Sequence, residues 1–245
     1  MRSAWLRREG WVVPRGWEKT LGVFAAVSTR SLGDMKDPLN FERRVRTLGF
    51  ESPGWVGGQQ VHGRRVRFVT GPRAVDWAAT DGLLTGRTGF ALRVFTADCV
   101  PVFLVDPIRK VFGLVHAGWR GVQNGIVGVA MAGIARRCRA RPKDLYVTMG
   151  PHIQSCCCAV GSDVAGLFKG IPGAVVPGKG TFRGRPMLNL AGMIRAQVVR
   201  AGGLTSQVTT APWCTVCDPH FFSYRREQTD RRQVALLRAK DELTE

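Results

Sequence analysis

The chain has 245 residues, 44% of them hydrophobic, which is enough apolar surface for a sizeable core and excludes an extended disordered protein. Its formal net charge of +18, carried mostly by arginine, would suit nucleic acid or another polyanion. The basic residues are nevertheless scattered, with local clusters only at Arg64, Arg65 and Arg67, at 136–141 and at 225–232, a pattern of solvated faces that argues against nucleic acid as the main partner and suits an anionic small molecule equally well.

The first twenty residues are basic and interrupted by Glu9 and Glu18, so they lack the apolar run of an export signal and are expected to be a loosely attached segment. Residues 23–28 read as a strand. Asp37-Pro38 places an N-cap before a proline at the first helical position, and Phe41, Val45 and Leu48 share one face of a helix that Gly49 ends. Residues 55–62 and 65–69 are two extended runs joined by a tight turn at Gly63, with His62 at the turn. Residues 91–96, 101–105 and 111–115 are further strands, rich in Val, Phe and Leu and bounded by polar or proline-containing breaks. A helix over 121–139 follows, in which Gly125, Gly128 and Gly133 would admit a neighbouring backbone. Its uncharged part, 121–135, falls short of the roughly 20 apolar residues that cross a bilayer, so no membrane span is expected. Residues 145–149 form a strand, 150–158 a cysteine-rich loop, 160–168 a short helix and 170–186 a Gly/Pro-rich surface excursion. The spacing of Leu190, Ile194, Val198 and Val199 predicts a helix over 188–200 stopped by Gly202-Gly203, and 208–210 and 234–237 close the chain as strands. Neither a repeat nor a polar linker divides the sequence. The expectation is one domain over 1–245, of α+β (α/β layered) class with mixed β-sheets flanked by helices, because strands and helices mix without strict βαβ alternation.

Seven cysteines in a chain without an export signal are expected to be cytoplasmic, reduced thiols: ligands, nucleophiles or buried small residues rather than disulfides. Of only four histidines, His62 and His116 sit at ends of extended segments, and between them Thr96-Ala97-Asp98-Cys99 is another break between strands. Two imidazoles and one thiolate would leave a fourth tetrahedral position open, the pattern of a catalytic zinc site. The alternative is that the histidines are hydrogen-bonded turn residues and Cys99 a small buried hydrophobe; spacing leaves both open. After His116, Gly118-Trp119-Arg120-Gly121 leads into a helix whose first N–H groups would favour an anion such as phosphate, with Arg120 as a bidentate contact. Arg225 and Arg226 are further candidates, each alternatively a solvated or ion-paired residue. Asp98 is the acid nearest the site, but neighbours on an extended chain point oppositely, which favours a turn-forming role. Cys214 and Cys217, with Cys156, Cys157 and Cys158, raise a second, structural zinc; against it, three adjacent cysteines cannot all ligate one ion comfortably.

Three segments, Gln60-Val61-His62-Gly63, Ala97-Asp98-Cys99-Val100-Pro101 and His116-Ala117-Gly118-Trp119-Arg120-Gly121, resemble in order the signature segments of the YfiH-type family, also called the polyphenol oxidase or laccase-domain family. Further matches are Asp81-Gly82-Leu83-Leu84-Thr85, Gly150-Pro151 with Cys156-Cys157-Cys158, and Phe221-Phe222-Ser223-Tyr224-Arg225-Arg226, from about residue 28 to 234. The resemblance implies a layered α/β fold and one zinc held by His62, Cys99 and His116. It also implies purine nucleoside phosphorylase activity on adenosine, inosine, guanosine or methylthioadenosine with inorganic phosphate, together with adenosine deamination. The connection after Ser28-Thr29-Arg30 is shorter than in the family, and that segment, with Arg30, would flank the substrate. The laccase label meets a physical objection: a multicopper site uses roughly ten imidazoles, and this chain has four histidines. Two other readings stand beside the phosphorylase: a hydrolase in which His116 activates Cys99 against an amide or a cell-wall precursor, and an inactive basic RNA- or partner-binding protein. The expected partners are a nucleoside and phosphate, with no membrane, as a monomer or homodimer.

Overall fold

In a computed structural model, which describes residues 4–49, 54–72 and 75–239, the described strands form two six-stranded sheets and a small hairpin. The first sheet contains β1 (Trp5–Arg8), β2 (Trp11–Pro14), β3 (Val23–Ser28), β4 (Trp55–Val56), β7 (Ala91–Thr96) and β14 (Gln233–Ala239), ordered β1-β2-β3-β14-β7-β4. The second contains β5 (Val66–Phe68), β6 (Gly82–Thr85), β8 (Val100–Asp106), β9 (Val111–Ala117), β10 (Tyr146–Met149) and β13 (Val208–Thr210), ordered β13-β10-β8-β9-β6-β5. β11 (Val175–Pro177) and β12 (Pro186–Leu188) pair antiparallel. Most neighbours are antiparallel; β4–β7, β5–β6 and β10–β13 are parallel.

The side-chain period of two decides how these sheets stack. On β8, Phe103 and Val105 join Val27, Leu92, Val94 and Leu237 in a core between the sheets, while Val102 and Leu104 face the other way. There they meet α4 (Ile126–Cys138) and α6 (Leu190–Arg200), through Ile126, Ala130, Ile134, Ile194 and Val198. The outer face of the first sheet, with Ala26, Val234 and Leu236, is covered by Phe41 and Val45 of α2 (Pro38–Arg46). The layers therefore run helix, sheet, sheet, helices, and β8 and β9, covered on both faces, are buried along their whole length. The short helices α1 (Trp17–Thr20), α3 (Trp119–Gln123), α5 (Ser162–Gly166) and α7 (Tyr224–Glu227) lie in the connections. Among the described residues no helix is long and apolar enough to cross a membrane.

Local signals held where they were strong. The Asp37 carboxylate accepts from the N–H groups of Leu39 and Asn40 ahead of α2, as its N-cap position requires. Four expectations are corrected. Residues 4–20 are not loosely attached: Glu9 and Gly10, at φ 48° and 83°, turn β1 into β2, and Trp5, 1% exposed, donates from Nε1 to Thr148 Oγ1 in the second sheet at 3.0 Å. The runs expected as a hairpin around Gly63 instead give β4 to one sheet and β5 to the other, because each finds a parallel partner. The long helix breaks at Asn124-Gly125, where Gly125 takes φ 75°. A Cβ at Gly125 or Gly128 would meet nothing, and of the three glycines only Gly133 is approached, by Leu84. Finally, the 170–186 excursion contains β11.

Candidate active site

The site lies where the chain crosses between the two sheets. His62 is on the β4–β5 crossing, Cys99 on the β7–β8 crossing, and His116 near the end of β9. Each crossing is held by specific contacts. Gln60 pairs with β7 as a strand residue would, its Oε1 accepting from the Phe95 N–H and its Nε2 donating to the Phe95 carbonyl, both at 2.7 Å. Beyond it the backbone of His62 enters the left-handed region at φ 58°. A non-glycine residue there costs about 1 kcal/mol, and a buried carboxylate compensates it. Asp81, just ahead of β6, accepts from the N–H groups of Val61, His62 and Gly63 at 3.2, 2.9 and 2.9 Å. The same carboxylate lies 2.9 Å from His116 Nδ1, and the Asp81 carbonyl accepts the His116 N–H at 2.7 Å. One acid thus aligns both imidazoles. It makes Nδ1 of His116 the protonated nitrogen and leaves Nε2 to turn toward Cys99.

Asp98, at φ 96°, turns the chain ahead of Cys99. Its carboxylate accepts from Thr215 Oγ1 at 2.6 Å and from the Arg225 N–H at 2.7 Å, and its carbonyl from the Ile153 N–H at 2.9 Å. The turn-forming role is the one its contacts describe.

His62 Nδ1 stands 3.8 Å from Cys99 Sγ, the two imidazole rings are 4.8 Å apart at 67°, and the three ligand atoms lie within 4.8 Å of one another. Gly118 closes the space beside them: a Cβ there would sit 2.7 Å from His62 Nδ1 and 3.1 Å from Cys99 Sγ. Two nitrogens and a thiolate, one imidazole oriented from behind by a carboxylate, fit the donor set of an open zinc site.

The electrostatics agree with that chemistry. Burial alone would raise the Cys99 thiol; the charge and hydrogen bond of His116, helped by His62, outweigh it and bring it down to about 6. Burial would likewise lower His116, but the charge on Cys99 and the bonds to Asp81 and Cys99 raise it to about 9. Between those values the pair is a thiolate and an imidazolium sharing one proton, which a metal must displace. Apparent zinc affinity at this site is therefore expected to rise about tenfold per pH unit between roughly pH 6.5 and 8.5 and to level off above pH 9. Chelator competition across that range measures the slope; a flat profile would refute the pairing.

The three residues line a cleft of about 710 Å³. Arg120 and Arg225 also line it, joined by Lys36 and Arg232, so four cationic side chains surround the cleft, together with the aromatic rings of Phe95, Trp119 and Tyr224. Arg30 and Arg226, expected as substrate contacts, are not among its lining residues. Arg30 pairs with Glu227 and stacks over Phe222 at 4.9 Å. Arg226 donates to the carbonyls of Thr215, Val216, Asp218 and Phe221, tying its own loop together. The expected helix dipole beyond Gly118 is also small, since α3 has only five residues. Sequence reasoning missed the role of Asp81, whose only signal was the quoted Asp81-Gly82 segment, and missed Lys36 and Arg232, which reach the cleft from unrelated loops.

The profile of the family described as "multi-copper polyphenol oxidoreductase laccase" matches residues 30–240. The chain is 35% identical over 224 residues to "purine nucleoside phosphorylase YlmD" of Geobacillus stearothermophilus, covering 86% of this chain and 82% of that protein. It is 36% identical over 197 residues to "purine nucleoside phosphorylase ORF3" of Streptomyces griseus, covering 79% and 77%. The crystal structure of YlmD from Geobacillus stearothermophilus superposes with a TM-score of 0.88 at 29% identity, covering 98% of this chain and all of that one.

Proposed function

Because the chain belongs to the multi-copper polyphenol oxidoreductase laccase family, within which its similar relatives carry the name purine nucleoside phosphorylase, we propose that it cleaves purine nucleosides with inorganic phosphate, at a zinc-dependent site built on His62, Cys99 and His116. The observation that carries this reading is the cleft itself, which sets a metal-ligand triad among four cationic side chains and three aromatic rings. Adenosine, inosine, guanosine and methylthioadenosine share the features such a cleft selects: a flat purine that stacks on Phe95, Trp119 or Tyr224, and a sugar presented to phosphate.

In the reaction, the bond between the sugar's C1′ and the purine nitrogen breaks as an oxygen of hydrogen phosphate bonds to C1′, and the proton that the phosphate gives up ends on the purine, giving free base and sugar 1-phosphate. Lys36, Arg120, Arg225 and Arg232 neutralise the incoming phosphate, and Arg120 can grip it through paired N–H donors, while Arg225 Nη1 is bonded to the Cys157 and Ala159 carbonyls. Zinc bound by the triad would orient substrate and stabilise developing charge. Asp81 holds His116 in the tautomer that presents Nε2. The copper-oxidase name attached to the family does not suit four histidines, whereas one metal does.

A second reading rests on a specific geometry. Cys99, His116 and Asp81 stand in the order nucleophile, base and orienting acid, with the thiol brought down to about 6, as a hydrolase of amides would need.

Untagged protein loaded with one zinc at this site is expected to release adenine from adenosine only when phosphate is present, with ribose 1-phosphate in equal amount. Release that ignores phosphate would overturn the phosphorylase. Rapid modification of Cys99 by iodoacetamide in the zinc-loaded protein would favour the nucleophile instead.

A further inference from the structure

On the far side of the cleft wall four more cysteines converge. Cys156 and Cys157 come from the loop after β10, Cys214 and Cys217 from the loop after β13, and their four sulfurs lie within 4.8 Å of one another. Cys217 Sγ is 3.7 Å from Cys156 Sγ and 3.3 Å from Cys157 Sγ. Sulfurs arranged tetrahedrally about zinc, each about 2.3 Å from it, are roughly 3.8 Å apart, within the spread found here.

Two features of the backbone suit thiolate ligands. The segment Cys214-Thr215-Val216-Cys217 makes a turn closed by the Asp218 N–H on the Cys214 carbonyl at 2.9 Å, and Cys214 Sγ accepts the Gln154 N–H from the facing loop at 3.4 Å. A neutral thiol accepts a hydrogen bond weakly, whereas a metal-bound thiolate draws one. In the facing loop the N–H groups of Cys157 and Cys158 both donate to the Gln154 carbonyl, at 2.9 and 3.0 Å, making a tight turn. Consecutive side chains in such a turn diverge by about 100° instead of pointing oppositely as on a strand, so Cys156 and Cys157 both reach one ion. Cys158 is carried away from them and lines the cleft with Cys99 and Arg225. The objection that three adjacent cysteines cannot share a metal therefore does not apply, because only two of them face it.

We propose that Cys156, Cys157, Cys214 and Cys217 bind one zinc ion in a closed four-thiolate site, separate from the His62–Cys99–His116 triad. Its role is to staple the 150–158 loop to the 211–218 loop. Both loops hold the cleft: Ile153 and Thr215 bond Asp98, next to Cys99, and Arg225 donates to the Ala159 carbonyl at 2.7 Å. The structural ion would fix the groups that position Cys99 and Arg225 without touching substrate.

The test counts zinc and thiols in untagged protein purified under reductant and reconstituted with excess zinc, then freed of loose metal. The wild type is expected to hold about two zinc ions per chain, Cys99→Ala about one, and the double variant Cys214→Ser/Cys217→Ser about one. The ion remaining in Cys99→Ala should leave on mercurial titration of four thiols. Cobalt in its place should give the intense sulfur-to-metal charge transfer of several thiolates. If the double variant does not fold, Cys217→Ser alone, at an exposed position, should retain zinc at least tenfold less tightly against a chelator. Folded Cys99→Ala that takes up no zinc would overturn the proposal. So would a denatured-state count two below the seven thiols of the sequence, which would mark a disulfide in the cluster. Because Cys99→Ala separates the two sites, failure here leaves the catalytic reading standing, and the converse holds.

Discussion

Asp81→Ala is expected to abolish zinc retention at the triad and to cost about 3–5 kcal/mol of stability. The carboxylate is fully buried and accepts four hydrogen bonds, three from successive backbone N–H groups and one from His116 Nδ1. Truncation leaves those donors without their acceptor, each worth about 1–3 kcal/mol before the loop relaxes and water reaches it. It also releases the loop that holds His62 at φ 58°, so the ligand swings away while His116 loses its orientation. Burial opposes the charge on Asp81, yet the bonds from His116, Gly63 and Val61 hold its pKa below the ordinary carboxylate value, which shows how strongly this environment favours the anion. Asp81→Asn separates the two effects. It keeps the volume and one acceptor oxygen, so it should fold, while the lost charge weakens zinc binding ten- to a hundredfold, the usual cost of removing a partner behind a ligand. Urea denaturation and chelator competition read the two quantities. Unchanged zinc affinity in a folded Asp81→Asn protein would remove Asp81 from the site.

Cys99→Ala is expected to lower zinc at the triad to near zero and to reduce phosphate-dependent release of base by more than ~100-fold, since loss of a direct ligand exceeds the cost of losing an outer one. The thiolate is the anionic member of the set, and two neutral imidazoles alone hold zinc far less tightly. His116 should respond as well. With the Cys99 charge gone, burial is opposed by Asp81 without its strongest helper, and the imidazole should titrate well below about 9; NMR of its ring protons would follow the change. Activity surviving in zinc-free Cys99→Ala protein would sink the metal-dependent phosphorylase. Activity lost while zinc at the triad stays bound would move the weight to Cys99 as a nucleophile.

These expectations rest on parts of the molecule that were legible in the sequence to different degrees. Asp37-Pro38 and the spacing of Phe41 and Val45 were enough for α2, and the runs at 91–96, 101–105 and 111–115 were enough for β7, β8 and β9, because capping and burial periodicity act within a few residues. The triad was readable as three strand breaks, each offering a ligand, and resemblance selected it over the buried-residue alternative. What remained hidden was every feature that depends on which segments become neighbours. β1 carries one buried residue in four, so nothing in its own pattern marks it as a strand until β2 and β3 stand beside it. Asp81 looks like any Asp-Gly turn until the β4–β5 crossing and β9 close over it. Whether Arg30 and Arg226 face a substrate or their own loops is set by the nearest acceptors in space, which here are Glu227 and four backbone carbonyls.

By itself the sequence determined the elements whose hydrogen bonds and apolar faces are specified locally, and the identity of the residues able to bind a soft metal. Tertiary structure decided how those residues are used. A ligand set needs sulfurs and nitrogens within a few ångströms of a common point, and chain separations such as 62 to 116 or 157 to 217 carry no such distance. Only the stacking of two sheets, and the loops that cross between them, brought His62, Cys99 and His116 to one point and Cys156, Cys157, Cys214 and Cys217 to another.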